Sequence, residues 1–174
     1  MATPLSHLAV PLALSVALGP DIVPPGLMAL ALACAVLPDL DALGPWLGIP
    51  YEHPFGHRGF THSLPFAVAL AGAGSLLAPS LGADASIAFW VLLASAASHG
   101  LIDALTNVGL GIALFSPFSS RRYFLPWRVI EVSPLRPAVL FSKRGLHVLR
   151  SELRWVWTPC LVVALAGLAV RLVP

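Results

Sequence analysis

The stretch 86–105, SIAFWVLLASAASHGLIDAL, decides how this chain folds. A helix crossing a bilayer needs about 20 predominantly apolar residues. This stretch meets that need, yet it carries His99 and Asp103 near its end. An ionisable side chain at membrane depth is costly and marks a functional site by default. The two residues are four apart, so on a helix they project from one face at neighbouring turns.

The rest of the chain shares this apolar character. Of its 174 residues 57% are hydrophobic and 10% charged, and the mean hydropathy is +0.85. Soluble domains carry about 25% charged residues. The composition therefore excludes a soluble globular protein and predicts a single membrane-embedded domain over 1–174. A net charge of +2 gives no reason to expect nucleic acid as a partner. Cys34 and Cys160 lie in apolar runs with no CxxC pairing, and read as small buried hydrophobes. The N-terminal segment lacks the basic start of a signal peptide and is expected to be a retained helix.

Working outward, about five membrane segments are predicted: 5–18, 22–37, 64–77, 86–105 and 153–173. Pro11 is expected to kink the first without breaking it. The 108–118 stretch is apolar but too short to span, and is expected to be re-entrant, interfacial or the bent end of the fourth segment. Residues 121–132 read as a short β-hairpin or an extended loop. In 144–157, Leu146, Leu149, Leu153 and Trp157 recur at spacings of three and four, with Arg150 and Arg154 beside them. That pattern predicts an amphipathic interfacial helix. The fold class is thus all-α, a polytopic membrane bundle with a loop region at one face.

Alternating the five segments places nine of the ten Lys and Arg residues on one face, with Arg171 the exception. The positive-inside rule assigns that face to the cytoplasm. His7, Asp39, Asp41, His57, His62, His99 and Asp103 arrive at the same face, a convergence the alternation did not impose.

Histidine and aspartate together are the usual ligands of zinc and related divalent ions. The candidate metal ligands are His7, Asp41, His57, His62, His99 and Asp103, around one or two zinc-like ions. Asp39 is the candidate general base. It follows Pro38, which should end the second helix. His57 and His62 lie in 57–63, HRGFTHS, about 140° apart on a regular helix. Gly59 should therefore separate them, with Thr61 as the N-cap of the third segment. Arg58, beside these ligands, is the candidate stabiliser of developing anionic charge. Arg121, Arg122 and Arg128 are candidate substrate-binding groups or contacts for anionic lipid. His53 and His147 have no partners at useful spacing and are expected to be interfacial. No GxSxG, P-loop or CxxC motif is present, so a metal-activated water is the expected nucleophile.

These motifs in order resemble the YdjM-like family of inner-membrane, metal-dependent hydrolases. The resemblance rests on His7, the PDLD of 38–41, the HRGFTHS of 57–63, Ser98-His99 with Asp103, Leu105-Thr106, Gly109, and the 117–126 loop with Arg121 and Arg122. It covers residues 5 to 135. It implies a membrane hydrolase with bound divalent metal, and it implies that His7 belongs to the site. By analogy alone, helical His and Asp ligands are also similar to those of zinc-dependent phospholipases C. A phosphoester in a lipid or lipid-linked headgroup is the expected substrate, with membrane lipids as partners. Two rival readings are a metal transport or sensing protein and a structural membrane anchor with a basic contact surface.

Overall fold

The computed structural model describes residues 2–132 and 142–173. The chain is helical, and among the described residues there are no strands. The helices are α1 (Pro4–His7), α2 (Ala9–Leu18), α3 (Pro25–Val36), α4 (Leu64–Ser75), α5 (Ala85–Ala104), α6 (Lys143–Glu152) and α7 (Thr158–Leu172).

Among the described residues, three helical stretches are long and apolar enough to cross a membrane: Pro25–Leu47, Ala85–Ala104 and Lys143–Leu172. The other two apolar helices, Pro4–Leu18 and Leu64–Ser75, are shorter. At a rise of about 1.5 Å per residue they fall below the roughly 30 Å of a bilayer core. The number of full spans supported by length is therefore three, against the five expected.

The first helix is interrupted at Leu8, between α1 and α2. Pro11 has no N–H to return to the His7 carbonyl four residues earlier. The second segment runs from α3 directly into a tight 3-10 stretch, Leu37–Leu47, which begins at the Pro38 turn and carries Asp39 and Asp41. At the other end of the chain, α6 joins α7 through a wide π turn at Leu153–Trp157.

Helix α5 is the centre of the bundle. It packs against α3 and α4, while α2 pairs with α7. Small side chains make this close packing feasible, as is usual where lipid supplies no hydrophobic drive between helices. Ala31, Ala67, Ala71, Ala88 and Ala96 are buried around Leu27 and Leu92. At the α2–α7 contact a side chain on Gly167 would lie 2.6 Å from the Ala17 Cα.

The 121–132 stretch forms an extended loop, not a hairpin. Its backbone groups are spent on the end of α5 and on the 106–114 segment. Leu125 and Ile130 donate to the carbonyls of Ala104 and Leu105, and Asn107 donates to Ile130. The C-terminal carbonyls of a helix need such partners. Among the described residues the stretch leaves single bridges, Thr106 with Ile130 and Ile112 with Tyr123.

Candidate metal centre

Four elements bring their polar residues to one end of the bundle. His7 comes from α1, Asp39 and Asp41 from the 3-10 stretch after α3, His62 from the turn before α4, and His99 and Asp103 from the last turns of α5. His7, His99 and Asp103 are fully buried, and His62 is 3% exposed.

The imidazoles of His99 and His62 are each aimed by a contact at the Nδ1 nitrogen. His99 Nδ1 meets the Ala35 carbonyl at 2.7 Å. Pro38 cannot donate to that carbonyl in the i→i+3 pattern of the 3-10 stretch, so the acceptor is free for His99. His62 Nδ1 lies 3.0 Å from Asp41 Oδ2. With both Nδ1 atoms acting as donors, both Nε2 atoms present lone pairs. These two Nε2 atoms face each other at 3.0 Å. A cation or a proton must lie between them.

The surrounding atoms belong to the same point. His99 Nε2 is 3.4 Å and His62 Nε2 is 3.7 Å from Asp39 Oδ1. His62 Nε2 is 3.7 Å from Asp103 Oδ2. His7 Nε2, on a ring stacked 3.7 Å above that of His99, is 3.9 Å from Asp39 and 3.8 Å from Asp103. Ligands about 2.0–2.1 Å from a tetrahedral ion stand about 3.3 Å apart. The separations here fit that scale with little closure.

Two further observations favour a cation. Both ring nitrogens of His7 and both oxygens of Asp39 are buried without a hydrogen-bond partner. Leaving such atoms unmet costs about 1–3 kcal/mol each. Charge is also unbalanced. Three carboxylates, Asp39, Asp41 and Asp103, face one guanidinium, that of Arg58. Burial opposes a charge on His62, but the carboxylates of Asp39 and Asp41 beside it outweigh burial and raise its pKa to about 9. An ion bound there would displace that proton.

The six candidate ligands and Asp39 fall into two overlapping groups that could hold a metal. One is His7, Asp39, His99 and Asp103, and the other is Asp39, Asp41, His57 and His62. Asp39 belongs to both. Within the second group, the Asp41 oxygens are already engaged. Oδ1 meets His57 Nδ1 at 2.6 Å, and Oδ2 accepts from the Arg58 amide at 3.2 Å and the Thr61 hydroxyl at 2.5 Å. Thr61 is thus bound to Asp41 rather than capping α4. Ser63 is the cap, accepting from the Phe66 amide at 3.2 Å.

Arg58 is placed differently from the expectation of a substrate-facing cation. It is 1% exposed, with Nε 3.3 Å from Asp103 Oδ2. Its terminal nitrogens donate to the Val108 carbonyl and the Thr106 hydroxyl, each at 3.0 Å. Its φ of 64° is left-handed, unusual for a residue with a side chain. The strain is held by neighbours on both sides, since the Ala113 amide donates to its carbonyl.

The later arginines divide. Arg122 donates to the carbonyls of Tyr51, His53, His57, Arg58 and Gly111, clamping the loop that precedes His62. Arg121 and Arg128 are exposed and lie over the rings of Tyr123 and Phe124. His53 and His147 lie outside the cluster, and both cysteines are free.

Gly100 lets α5 approach the His62 turn. A side-chain carbon there would lie 2.4 Å from the His62 carbonyl oxygen. Gly100→Ala is expected to separate His62 from His99. Overpacking costs about 1–3 kcal/mol, against a helix-propensity gain of about 1 kcal/mol. A lower thermal midpoint in detergent, together with weaker zinc retention against a chelator, is the expected result. Wild-type values for both would show that the approach is not needed.

Glu152 and Ala2, which belong to no ligand motif in the sequence, are both buried by this fold. A signal for Glu152 was present. It stands seven residues after Gly145 and four after Val148, on the inward face of α6.

Comparison with known proteins agrees with this placement in a membrane. The chain is 40% identical over 164 residues to the inner membrane protein YbcI of Escherichia coli (strain K12), covering 91% of this chain and 92% of that protein. No solved structure matches. The buried histidines and aspartates, the spanning helices and the match from residue 1 to residue 173 lead to one assignment: the chain belongs to the YdjM inner membrane protein family.

Proposed function

We propose that this protein is a membrane-bound, metal-dependent hydrolase acting on a phosphoester of a lipid or lipid-linked substrate at the cytoplasmic face. The observation that carries the reading is the pair of Nε2 lone pairs of His62 and His99 facing at 3.0 Å beside the unpartnered oxygens of Asp39. His7, His62, His99 and Asp103 would hold a divalent ion, with zinc the first choice for this donor set. When bound, such an ion supplies Lewis acidity and lowers the pKa of a water to near neutrality.

The chain's own groups do the rest. Asp39 and His57 are the least enclosed side chains of the cluster, 12% and 11% accessible, although the Asp39 oxygens themselves are buried. Asp39 would accept a proton from the water that attacks phosphorus and return it to the leaving alcohol oxygen as the ester P–O bond breaks. Asp41 orients His57 and His62 through their Nδ1 atoms, as outer carboxylates do around metal-binding histidines. Arg58 holds Asp103 in place and contributes positive charge from behind it.

Access favours a lipid. The 3-10 stretch that carries Asp39 exposes Leu40, Leu43, Trp46 and Leu47. Arg121 and Arg128 are available for headgroup phosphates. On α6 the exposed Lys143, His147 and Arg150 form one stripe, and the exposed Leu146 and Leu149 form another. That pairing suits an anionic membrane surface.

The test is elemental analysis of purified protein, followed by assay of phospholipid and lipid-linked phosphoesters with and without chelator. Stoichiometric zinc and a phosphoesterase activity abolished by chelation and restored by zinc are expected. Metal-dependent ion flux in vesicles without hydrolysis would replace this reading with a transport function.

A further inference from the structure

One buried carboxylate lies outside the metal centre and takes no part in the chemistry above. Glu152 is 2% exposed, at the end of α6 and facing inward. Among the described residues no cation is paired with it. Its oxygens accept instead from Thr3, the amide to Oε1 at 2.5 Å and the hydroxyl to Oε2 at 2.6 Å. The two residues are 149 positions apart in the chain.

Thr3 stands between two parts of the metal centre. Ala2, before it, donates its amide to Asp103 Oδ1 at 2.8 Å. After it, the Thr3 carbonyl accepts from the Ser6 amide at 2.9 Å, starting the turn that carries His7. Glu152, Thr3, Ala2 and Asp103 thus form one continuous line of contacts. Thr3 has no side-chain bond to its own helix, so Glu152 takes its hydroxyl. A buried carboxylate survives only where such donors meet it.

We propose that Glu152 is a positioning residue for the metal centre. Through Thr3 it fixes the backbone that turns Asp103 with the Ala2 amide and presents His7. It thereby ties the surface helix α6 to the centre. This rests on the metal-binding reading above.

The experiment compares wild type with Glu152→Gln, Glu152→Ala, Thr3→Ser and Thr3→Val in detergent. Three readouts are taken: zinc affinity by chelator competition, the visible spectrum of the cobalt-loaded protein, and amide exchange of residues 2–8. Glu152→Ala and Thr3→Val are expected to weaken zinc by about 10–100-fold, as loss of an orienting partner does. They should also alter the cobalt spectrum and speed exchange at residues 2–8. Gln keeps one acceptor and Ser keeps the hydroxyl, so both should recover most of the affinity. Wild-type affinity and spectrum in folded Glu152→Ala would overturn the proposal, and Thr3→Val decides if that variant does not fold. Should wild type bind neither zinc nor cobalt, the metal reading itself falls. Unchanged exchange at residues 2–8 in the variants would then overturn the Glu152 clasp separately.

Discussion

Replacing His99 with alanine is expected to strip the protein of stoichiometric metal. Its Nε2 lies closest to the shared point, 3.0 Å from His62 and 3.4 Å from Asp39. Its ring also supports His7, which stacks on it at 3.7 Å. One substitution therefore removes a direct ligand and loosens a second. Loss of an orienting partner alone weakens metal by about 10–100-fold, so a larger loss is expected here. Chelator competition and elemental analysis would measure it, with helix content and detergent elution volume reporting that the fold persists. The apolar packing of α5 on α3 and α4 lies along the bundle away from this turn, so the fold should survive. A folded His99→Ala protein that retains zinc and phosphoesterase activity would sink the proposed function.

Arg58→Ala is expected to be the most destabilising single change at the centre. The guanidinium and Asp103 are both buried, at 1% and 0% side-chain exposure. Removing one partner of a buried pair leaves an uncompensated charge, at a cost of about 3–5 kcal/mol. The Thr106 hydroxyl and the Val108 carbonyl lose their donors as well. The backbone offers an internal control. At a φ of 64° alanine is strained, whereas glycine is not. Arg58→Gly should therefore be the more stable variant, by about 1 kcal/mol, with metal binding impaired in both. Thermal unfolding in detergent provides the comparison. Equal stability of Arg58→Ala and wild type would mean that the ion pair contributes nothing to the fold.

The arginines show where residue type stops being informative. Sequence identifies a cation beside histidines, and phosphate recognition is the natural use of an arginine there. In the folded chain Arg58 turns inward to Asp103, and Arg122 spends itself on five backbone carbonyls. Loops at this end of the bundle leave many carbonyls without helical partners, and a guanidinium with five donors is the side chain that can gather them. Such demands arise from backbone far away in sequence, so no local pattern reveals them. The 121–132 stretch makes the same point. Its Tyr, Phe, Val and Ile content suits a hairpin, but the open end of α5 takes its hydrogen bonds instead.

The amino-acid sequence by itself determined the membrane character, the helical class and the identity of the polar residues that meet. Those follow from composition, apolar length and spacing, which act within one segment. The convergence of His7, Asp39, Asp41, His57, His62, His99 and Asp103 was expected from alternating five spans; length supports three, yet the residues do meet. Only the tertiary structure decided which atoms face the centre and which support it. Asp39 keeps unpartnered oxygens there, Asp103 is held by Arg58 and the Ala2 amide, Asp41 is consumed by His57, Thr61 and His62, and Glu152 reaches the N-terminal turn. The physical reason is that hydrogen bonding and ion pairing act over about 3 Å, so they depend on packing that joins residues up to 149 positions apart.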